Sequence, residues 1–455
     1  MTHLKRVLGF RSLLAISIGV VVSQGVMVMI LQGAGIAGLG FFIPLSIAFF
    51  LAIFYAFSFS ELTLMLPRAG SLSTYTEVAI GPLPAMVATY SGYVVVTMFA
   101  LSAELLLVDL IIRDLFPEFF SPMILGTGIL LVFTGLNIIG VDIFAKFQSL
   151  LAFTMVVALL MLGGTALTDS GLPRTFEINL FQDWNPAGME VISLIAIAIW
   201  GFVGAEFVCP MVEESKNPER NIPLSMITGI CIVMVIYVIY CLGAIFYVPL
   251  DLLSSSTLPH KDFVTAVFGE GGTLFLATAA VTATCSTVNT CLAAIPRMIY
   301  GMAHNGQAIS ALQKIHPKYQ TPWMAVIFIA LITALPLLVL GNDVESITLL
   351  LISASLAWLL AYIVVHIDVI VLRKRMPNAS RPFKTPFYPW PQIIGILGMI
   401  YAVMHNSPSL ELTQKVYMTS GVVILIVVVM SIFWLKVIMK KELFKPKSFE
   451  HALEE

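Results

Sequence analysis

Residues 13–39 read LLAISIGVVVSQGVMVMILQGAGIAGL, an apolar run that contains no charged residue. A membrane-spanning helix needs about 20 mainly apolar residues, so this run is long enough to cross a bilayer. Its middle holds the small and polar triplet Ser23-Gln24-Gly25. Non-helical backbone inside a bilayer is tolerated only where protein or a water-filled cavity satisfies it, so the triplet predicts a functional break in the helix.

The composition of the whole chain agrees with a membrane location. Hydrophobic residues make up 59% of the 455 residues and charged residues only 11%. Soluble domains carry roughly 25% charged residues, so this chain cannot cover a water-facing surface of its size. The composition excludes a soluble enzyme and a nucleic-acid-binding protein, and it makes the lipid bilayer the expected partner.

The pattern of apolar runs predicts an all-α polytopic membrane protein with about twelve transmembrane helices. The runs are far longer than the roughly 10-residue alternating strands of a membrane β-barrel. Cuts at charged and Pro- or Gly-rich breaks give the expected spans, in order: 13–39, 41–64, 84–112, 123–141, 147–167, 188–211, 223–248, 272–295, 323–340, 345–371, 391–405 and 416–438.

The distribution of lysine and arginine predicts the orientation, because cytoplasmic loops carry an excess of both. With a cytoplasmic N-terminus, only four of the 24 basic residues fall in outer loops, namely Arg113, Arg174, Lys261 and Lys415. We therefore expect a multi-pass protein of the cell's inner membrane with both termini in the cytoplasm.

Motifs of known enzyme chemistry give no support for catalysis. Residues 33–38 spell GAGIAG, but this GxGxxG string closes a membrane helix and follows no strand, so it indicates helix packing. The five cysteines form no CxxC pair, and neither GxSxG nor HExxH occurs. The sequence predicts no enzyme activity, no catalytic residue, no resident metal and no cofactor.

The sixth span repeats the irregularity of the first. Residues 200–206 read WGFVGAE, again with glycines and a polar residue at mid-depth. Small residues also serve helix packing, which is the alternative explanation for either segment alone. Two Gly-interrupted helices in corresponding places of two halves are typical of a transporter site built from discontinuous helices. The first and sixth spans are five apart, as a 5+5 inverted repeat requires.

Three further strings carry a resemblance to a known family. They are SELTLMLPRAGSLSTY at 60–75, EESKNPERNIP at 213–223 and the pair Pro296-Arg297. Together they resemble cytoplasmic motifs of the amino acid–polyamine–organocation transporters, and the resemblance covers nearly the whole chain. It implies the LeuT-type fold, in which ten core helices form two inverted five-helix repeats and two further helices are peripheral.

The resemblance also implies a division of the chain and a function. The division is a cytoplasmic N-terminus at 1–12, a first repeat at 13–168, a second repeat at 187–372, peripheral helices at 389–438 and a cytoplasmic tail at 439–455. The function is secondary active transport of amino acids, as a permease or an exchanger, by alternating access. Transport of an amine or polyamine remains an alternative, as does a ligand sensor, although the sequence offers no output domain.

In this family, amides freed at the first break bind the substrate carboxylate, and carbonyls freed at the sixth bind its ammonium. The physics of helix termini supports that assignment, because a helix N-terminus presents unpaired N–H groups and partial positive charge. An aromatic residue at 200 or 202 resembles the family's lid over the substrate. The expected substrate-binding residues are Ser23, Gln24, Gly25, Glu104, Trp200, Gly201, Phe202 and Gly204.

Glu104 lies about midway along the third span, where an ionisable side chain is costly and calls for an explanation. It shares one helix face with Tyr93, Thr97 and Ala100 at helical spacing. Three interpretations stay open: a counter-ion for a substrate amine, a proton carrier, or a structural acid that is hydrogen-bonded within the bundle.

The coupling ion has several candidates. Glu206 matches a family glutamate linked to protons, so Glu104 and Glu206 are the proton-coupling candidates. Some members carry a coupling lysine in the fifth span, where counting from Lys146 gives Met155, which favours exchange or a carboxylate-based route. Ser286-Thr287 resembles the sodium site of sodium-coupled relatives, although such hydroxyls also bond neighbouring helices without an ion.

Overall fold

The computed structural model describes residues 6–117, 123–176, 184–339, 344–406 and 410–454. Within these ranges the chain is helical and has no β-strand beyond a single parallel bridge between Leu8 and Ser215. Eight helical stretches in the described part are long and apolar enough to cross a membrane, and four shorter apolar helices accompany them. The prediction of an all-α, multi-pass membrane protein is confirmed.

The helices of the described ranges coincide with the expected spans or with the loops between them. The α-helices are α1 Phe10–Val21, α2 Gln24–Ala37, α3 Phe42–Met65, α4 Leu72–Ala79, α5 Pro82–Thr89, α6 Ser102–Leu115, α7 Ile124–Ile139, α8 Val141–Leu167, α9 Ile195–Trp200, α10 Pro218–Tyr247, α11 Leu250–Ser255, α12 Pro259–Phe268, α13 Thr273–His304, α14 Trp323–Val339, α15 Val344–Arg375, α16 Trp390–Met404, α17 Leu410–Phe433 and α18 Phe449–Glu454. The 3₁₀ segments are Gly38–Phe41, Gly188–Leu194, Ala205–Glu214, Gly269–Gly272 and Ser310–Gln313, and the π-helical segments are Tyr90–Val95, Thr97–Leu101 and Trp434–Ile438.

Proline and glycine set several of these boundaries. Pro82, Pro218 and Pro259 each occupy the first position of a helix, where the missing N–H costs nothing and the fixed φ is already helical. Gly140 separates α7 from α8 with a φ of +152°, a conformation that side chains rarely adopt. The fourth and fifth spans are therefore joined by one glycine.

Burial falls from the centre of the bundle to its edge. In the most apolar window of each stretch, 89% of residues are buried for Gly188–Glu214 and 83% for Pro82–Leu115, but only 11% for Glu411–Ile438. The broken first span lies among the buried elements, since α1 packs against α8, α10 and α13. The first, third and sixth spans therefore meet at the centre, and α17 lies at the periphery.

The third span departs from regular α-helix in the turns before Glu104. Two π-helical segments, Tyr90–Val95 and Thr97–Leu101, lead into α6. π-Helical turns are rare and occur frequently at functional sites. Both segments pack against α15, and the second also packs against α14.

Candidate functional site

The first span is broken between α1 and α2, at the triplet that the sequence singled out. α1 ends at Val21 and α2 begins at Gln24. Ser23 caps α2, because its Oγ accepts a hydrogen bond from the Val26 N–H at 3.2 Å. On the other side of the break, the Val21 carbonyl accepts a hydrogen bond from the Tyr237 hydroxyl at 2.9 Å. Side chains of the same chain thus satisfy backbone groups that the break leaves open.

The carboxylate of Glu104 occupies the open N-terminus of α2. Oε2 of Glu104 accepts the Gln24 N–H at 3.0 Å, and Oε1 accepts the Gly25 N–H at 2.7 Å. Glu104 is buried, with 2% of its surface exposed. A carboxylate at a helix N-terminus gains both charge-assisted hydrogen bonds and a favourable interaction with the helix dipole. An anion site is therefore present at the first break, and a side chain of the protein fills it.

The sixth span is broken immediately after α9. α9 ends at Trp200, Gly204 has a φ of +111°, and a 3₁₀ helix continues from Ala205 to Glu214. Only glycine adopts such a φ readily. A Cβ at Gly204 would also lie 2.4 Å from Cγ1 of Val20, so the two breaks are in direct contact.

Glu206 holds the sixth break together. Its carboxylate accepts hydrogen bonds from the Gly204 N–H at 3.1 Å, the Tyr362 hydroxyl at 2.7 Å, the Trp358 indole at 3.0 Å and the Tyr93 hydroxyl at 3.3 Å. All four partners donate, so the arrangement suits a carboxylate that acts only as an acceptor. Glu206 is fully buried.

A small cavity of ≈ 30 Å³ lies between the two breaks and the third span. Its polar lining comes from Ser23, Thr97, Glu104 and Thr287, and no described residue that lines it is basic. The other lining residues are apolar or weakly polar: Val20, Val26, Val96, Ala100, Leu101, Trp200, Val203, Phe207, Cys291, Ile295 and Trp358.

Three aromatic side chains form one wall of the cavity. The rings of Phe207 and Trp358 stack with centroids 5.5 Å apart, and Trp200 meets Trp358 edge-on at 5.8 Å. The indole N–H of Trp200 is buried and has no hydrogen-bond partner among the described residues. Such a wall accommodates an apolar group or the face of an ammonium ion, and it retains one unused donor.

The structure distributes the predicted substrate residues in three ways. Ser23, Glu104 and Trp200 line the cavity, while Gln24 and Gly25 meet Glu104 through their backbone amides. The Gln24 side chain points elsewhere, with Nε2 donating to the Leu107 carbonyl at 3.2 Å. Gly201 and Gly204 shape the turn beside the cavity without lining it.

Phe202 lies outside the cavity. Its ring packs edge-on against Phe49 and Tyr237, at centroid distances of 6.1 and 5.7 Å. Its carbonyl accepts the Tyr55 hydroxyl, which satisfies another backbone group of the break. Of the two aromatic residues considered for a lid, only Trp200 faces the cavity.

The helix face predicted for the third span contributes residues both to the cavity and to the hydrogen bonds of Glu206. Thr97, Ala100 and Glu104 line the cavity, as their common face requires. Tyr93, one turn earlier, instead donates to Glu206. Phe207 and Trp358, which complete the aromatic wall, were missed by the sequence analysis. The signal for Trp358 is weak: an indole deep in an apolar span needs an acceptor, and here that acceptor is Glu206.

The residues considered for sodium already have hydrogen-bond partners. Ser286 Oγ donates to the Gly19 carbonyl at 2.9 Å and accepts from Nε2 of Gln148 at 2.8 Å. Nε2 of Gln148 also donates to the Ala15 carbonyl at 3.3 Å. Thr287 donates within its own helix, to the Ala283 carbonyl at 3.1 Å.

The fifth span reaches the first through Gln148. Met155, which stands at the position expected for a coupling lysine, is buried in the same helix. Gln148, two turns earlier, brings a neutral amide to the Ala15 carbonyl of α1. This contact is fixed by the way α8 packs on α1, which spacing alone does not reveal.

One family model and several known proteins are similar to this chain over most of its length. The family model described as "Amino acid permease" matches residues 12–448. The branched-chain amino acid permease BcaP of Bacillus subtilis (strain 168) is 26% identical over 435 residues, which cover 88% of each chain. The aromatic amino acid transport protein AroP of Escherichia coli (strain K12) is 26% identical over 74% of this chain and 75% of its own. The cystine/glutamate transporter of Pongo abelii is 27% identical over 85% of this chain and 77% of its own.

Proposed function

This chain belongs to the amino acid permease family, and from that premise we propose that the cavity between the two broken helices is where it binds and carries its substrate. The protein is a secondary amino acid transporter and not an enzyme. Substrate reaches the cavity from alternate sides of the membrane as the broken helices move. The observation that carries the proposal is the meeting of both breaks at one central cavity.

The chemistry of the walls favours a neutral amino acid with an apolar side chain. Trp200, Phe207 and Trp358 supply an apolar surface, and no described lining residue is basic. An acidic side chain would find no cation there, and burying an unpaired charge is costly. The N-terminus of α2 suits the substrate carboxylate, once Glu104 has left it.

The position of Glu104 also supports a second candidate, an amine that has no carboxylate. In that case Glu104 stays on the amides of Gln24 and Gly25, and it faces the ammonium of the substrate as a counter-ion. The aromatic wall would then contact the cation through its ring faces. The two candidates differ in one group, the α-carboxylate of the ligand.

A paired ligand screen separates these candidates. The purified protein is tested for binding of L-leucine and L-phenylalanine and of their decarboxylated counterparts, isopentylamine and phenethylamine, by thermal shift and calorimetry. Stabilisation by the amino acids supports the proposal, and stabilisation by the amines alone supports the second candidate. Uptake of the bound ligand into proteoliposomes, with and without the same ligand inside, then distinguishes a carrier from a sensor and an exchanger from a symporter.

The orientation and the internal repeat belong to the same proposal. The chain near Leu8 pairs with Ser215, Glu213 accepts the Ala69 N–H at 2.9 Å, and Arg68 donates to the Ala452 carbonyl. The N-terminal segment, two loops and the tail therefore meet on one face. Lysine and arginine concentrate on that face, which supports its assignment to the cytoplasmic side. Residues 13–168 and 187–372 form the two inverted repeats around the cavity, and 389–438 supply the peripheral helices.

A further inference from the structure

Both backbone amides at the start of α2 already have an acceptor. Oε2 of Glu104 lies 3.0 Å from the Gln24 nitrogen, and Oε1 lies 2.7 Å from the Gly25 nitrogen. An amino acid that is bound at this helix N-terminus through its carboxylate needs the same two N–H groups. The protein thus carries, on its own third span, a group with the chemistry of the ligand's carboxylate.

The surroundings do not permit two carboxylates at this place. The lining residues in the described ranges include no lysine, arginine or histidine that could neutralise a second negative charge. Like charges within a few ångströms in an apolar cavity repel strongly, since the local dielectric constant is low. Binding of a substrate carboxylate therefore requires that Glu104 lose its charge and release the amides.

The Glu104 carboxylate lies directly against Gly25. A Cβ added at Gly25 would lie 2.7 Å from Oε1 of Glu104, so glycine is what lets the carboxyl group reach the amide. The unused indole N–H of Trp200 in the wall of the same cavity is a further donor for an incoming ligand. The cavity thus holds one donor without an acceptor and two donors that a side chain of the protein occupies.

We propose that Glu104 is a tethered competitor of the substrate carboxylate, and that its protonation couples amino acid binding to one proton. In the empty carrier the Glu104 carboxylate holds the amides of Gln24 and Gly25. When the amino acid binds, a proton from the aqueous phase joins a Glu104 oxygen, and the two N–H groups pass to the substrate carboxylate. The substrate is a zwitterion, so each turnover carries one amino acid and one net positive charge. This inference rests on the proposed amino acid function.

The other titratable groups around Glu104 are few, and most are already engaged. α2 and α7 carry none, and the described part of α14 carries none. Cys291 of α13 lines the cavity, and Glu206 lies behind the aromatic wall with four donors, two of them the hydroxyls of Tyr93 and Tyr362. The remaining titratable residues of the packed elements whose side chains are described do not line the cavity: Tyr90, Asp109, Arg113, Asp114, Cys285, Arg297, Tyr300, His304, His366, Asp368, Arg373, Lys374 and Arg375.

The first test uses the wild-type protein. L-Leucine or L-phenylalanine, whichever binds, is added to the purified carrier in weakly buffered solution near neutral pH, and proton uptake is followed with a pH-sensitive dye. We expect uptake of one proton per molecule bound. An amino acid that binds without proton uptake overturns the inference and leaves the proposed function intact. Failure of any amino acid to bind overturns the proposed function itself.

The second test assigns the proton to Glu104. In Glu104→Gln the proton uptake should disappear. Amino acid binding should persist and should tighten at alkaline pH by about tenfold or more. This factor is the scale of one charge-assisted hydrogen bond, which the competing side chain can no longer form. Asp109→Asn, a buried acid on the same helix that pairs with Arg113, is the matched control and should keep the wild-type uptake. Loss of amino acid binding in folded Glu104→Gln, or unchanged proton uptake, overturns the inference. If that variant does not fold, Glu104→Asp is measured instead, and proton uptake with the pH dependence of the wild type overturns the inference.

Discussion

Arg297 and Glu214 form a buried ion pair that joins the eighth span to the end of the sixth. Nη2 of Arg297 lies 2.9 Å from Oε1 of Glu214, and its Nε bonds the other oxygen. The two side chains are 2% and 1% exposed. The Glu214 carbonyl also accepts the N–H groups of Val7 and Leu8, at 2.9 and 3.0 Å. The string at 213–223, the pair Pro296-Arg297 and the N-terminal segment therefore meet in one cluster. This cluster anchors the end of the broken sixth span.

Removal of Arg297 should destabilise the protein strongly. Arg297→Met leaves the Glu214 carboxylate buried without its cation, and we expect a loss of about 3–5 kcal/mol in the free energy of unfolding. Thermal and denaturant unfolding in detergent micelles measures the effect. The double variant Glu214→Met/Arg297→Met should recover most of the loss, because the uncompensated charge is gone. Lys415→Met is the control, since its pair with Glu411 is exposed and contributes about 0–1 kcal/mol. Equal stability of Arg297→Met and this control would contradict the prediction.

Bulky residues at the two breaks should abolish transport. In Gly25→Val the new side chain would meet Glu104, and in Gly204→Val it would meet Val20 at a φ of +111°. We expect both variants to reach the membrane and to lose uptake in proteoliposomes, because the backbone of the breaks can no longer adopt its shape. Gly164→Val is the matched control, since a Cβ there has no atom within 4 Å. Full uptake by both break variants would show that these glycines serve only helix packing.

The hydroxyl of Tyr362 should be needed for transport. It donates to Glu206 at 2.7 Å and accepts the Gly204 N–H at 3.1 Å, so it links the tenth span to the sixth break. Tyr362→Phe removes both contacts from a buried site, a cost of about 1–3 kcal/mol, and we expect uptake to fall roughly tenfold. Tyr417→Phe is the control, because the Tyr417 hydroxyl bonds the Val403 carbonyl at a partly exposed place. Wild-type uptake by Tyr362→Phe would mean that the remaining donors hold Glu206 unaided.

Transport should not depend on sodium. The Gly19 and Ala15 carbonyls face donors, the Ser286 hydroxyl and the Gln148 amide, and a donor nitrogen beside these oxygens is incompatible with a cation in the same place. We expect equal initial rates of uptake when sodium is replaced by choline on both sides of the proteoliposome. A rate that falls tenfold or more without sodium would refute this interpretation of the Gln148 contact.

The charge distribution predicts which face of the membrane each loop occupies. A cysteine at Lys440→Cys should resist an impermeant thiol reagent added to intact cells, whereas Arg174→Cys should react. Both variants are made in a Cys231→Ser background, because Cys231 is the exposed native cysteine among the described residues. Labelling of the tail cysteine from outside would reverse the proposed orientation.

The sequence alone determined the elements of this protein that depend on local chemistry. A bilayer requires about 20 apolar residues for each span, so the spans appear as apolar runs whatever their neighbours are. Polar and glycine-rich residues at mid-depth stand out for the same reason, so Ser23-Gln24-Gly25 and the turn at Gly204 are recognisable in the sequence itself. Helical spacing also gave the face of the third span that carries Thr97 and Glu104.

The tertiary structure decided which groups those elements meet. Glu104 is 79 residues from Gly25, Arg297 is 83 from Glu214, and Trp358 is 152 from Glu206. Helical periodicity gives the face on which a side chain lies, but the partner depends on how helices from distant parts of the chain pack. For that reason Phe202 faces away from the cavity beside Trp200, and Gln148 reaches the first span. Packing likewise decided that the open amides of the first break hold a carboxylate from the protein itself.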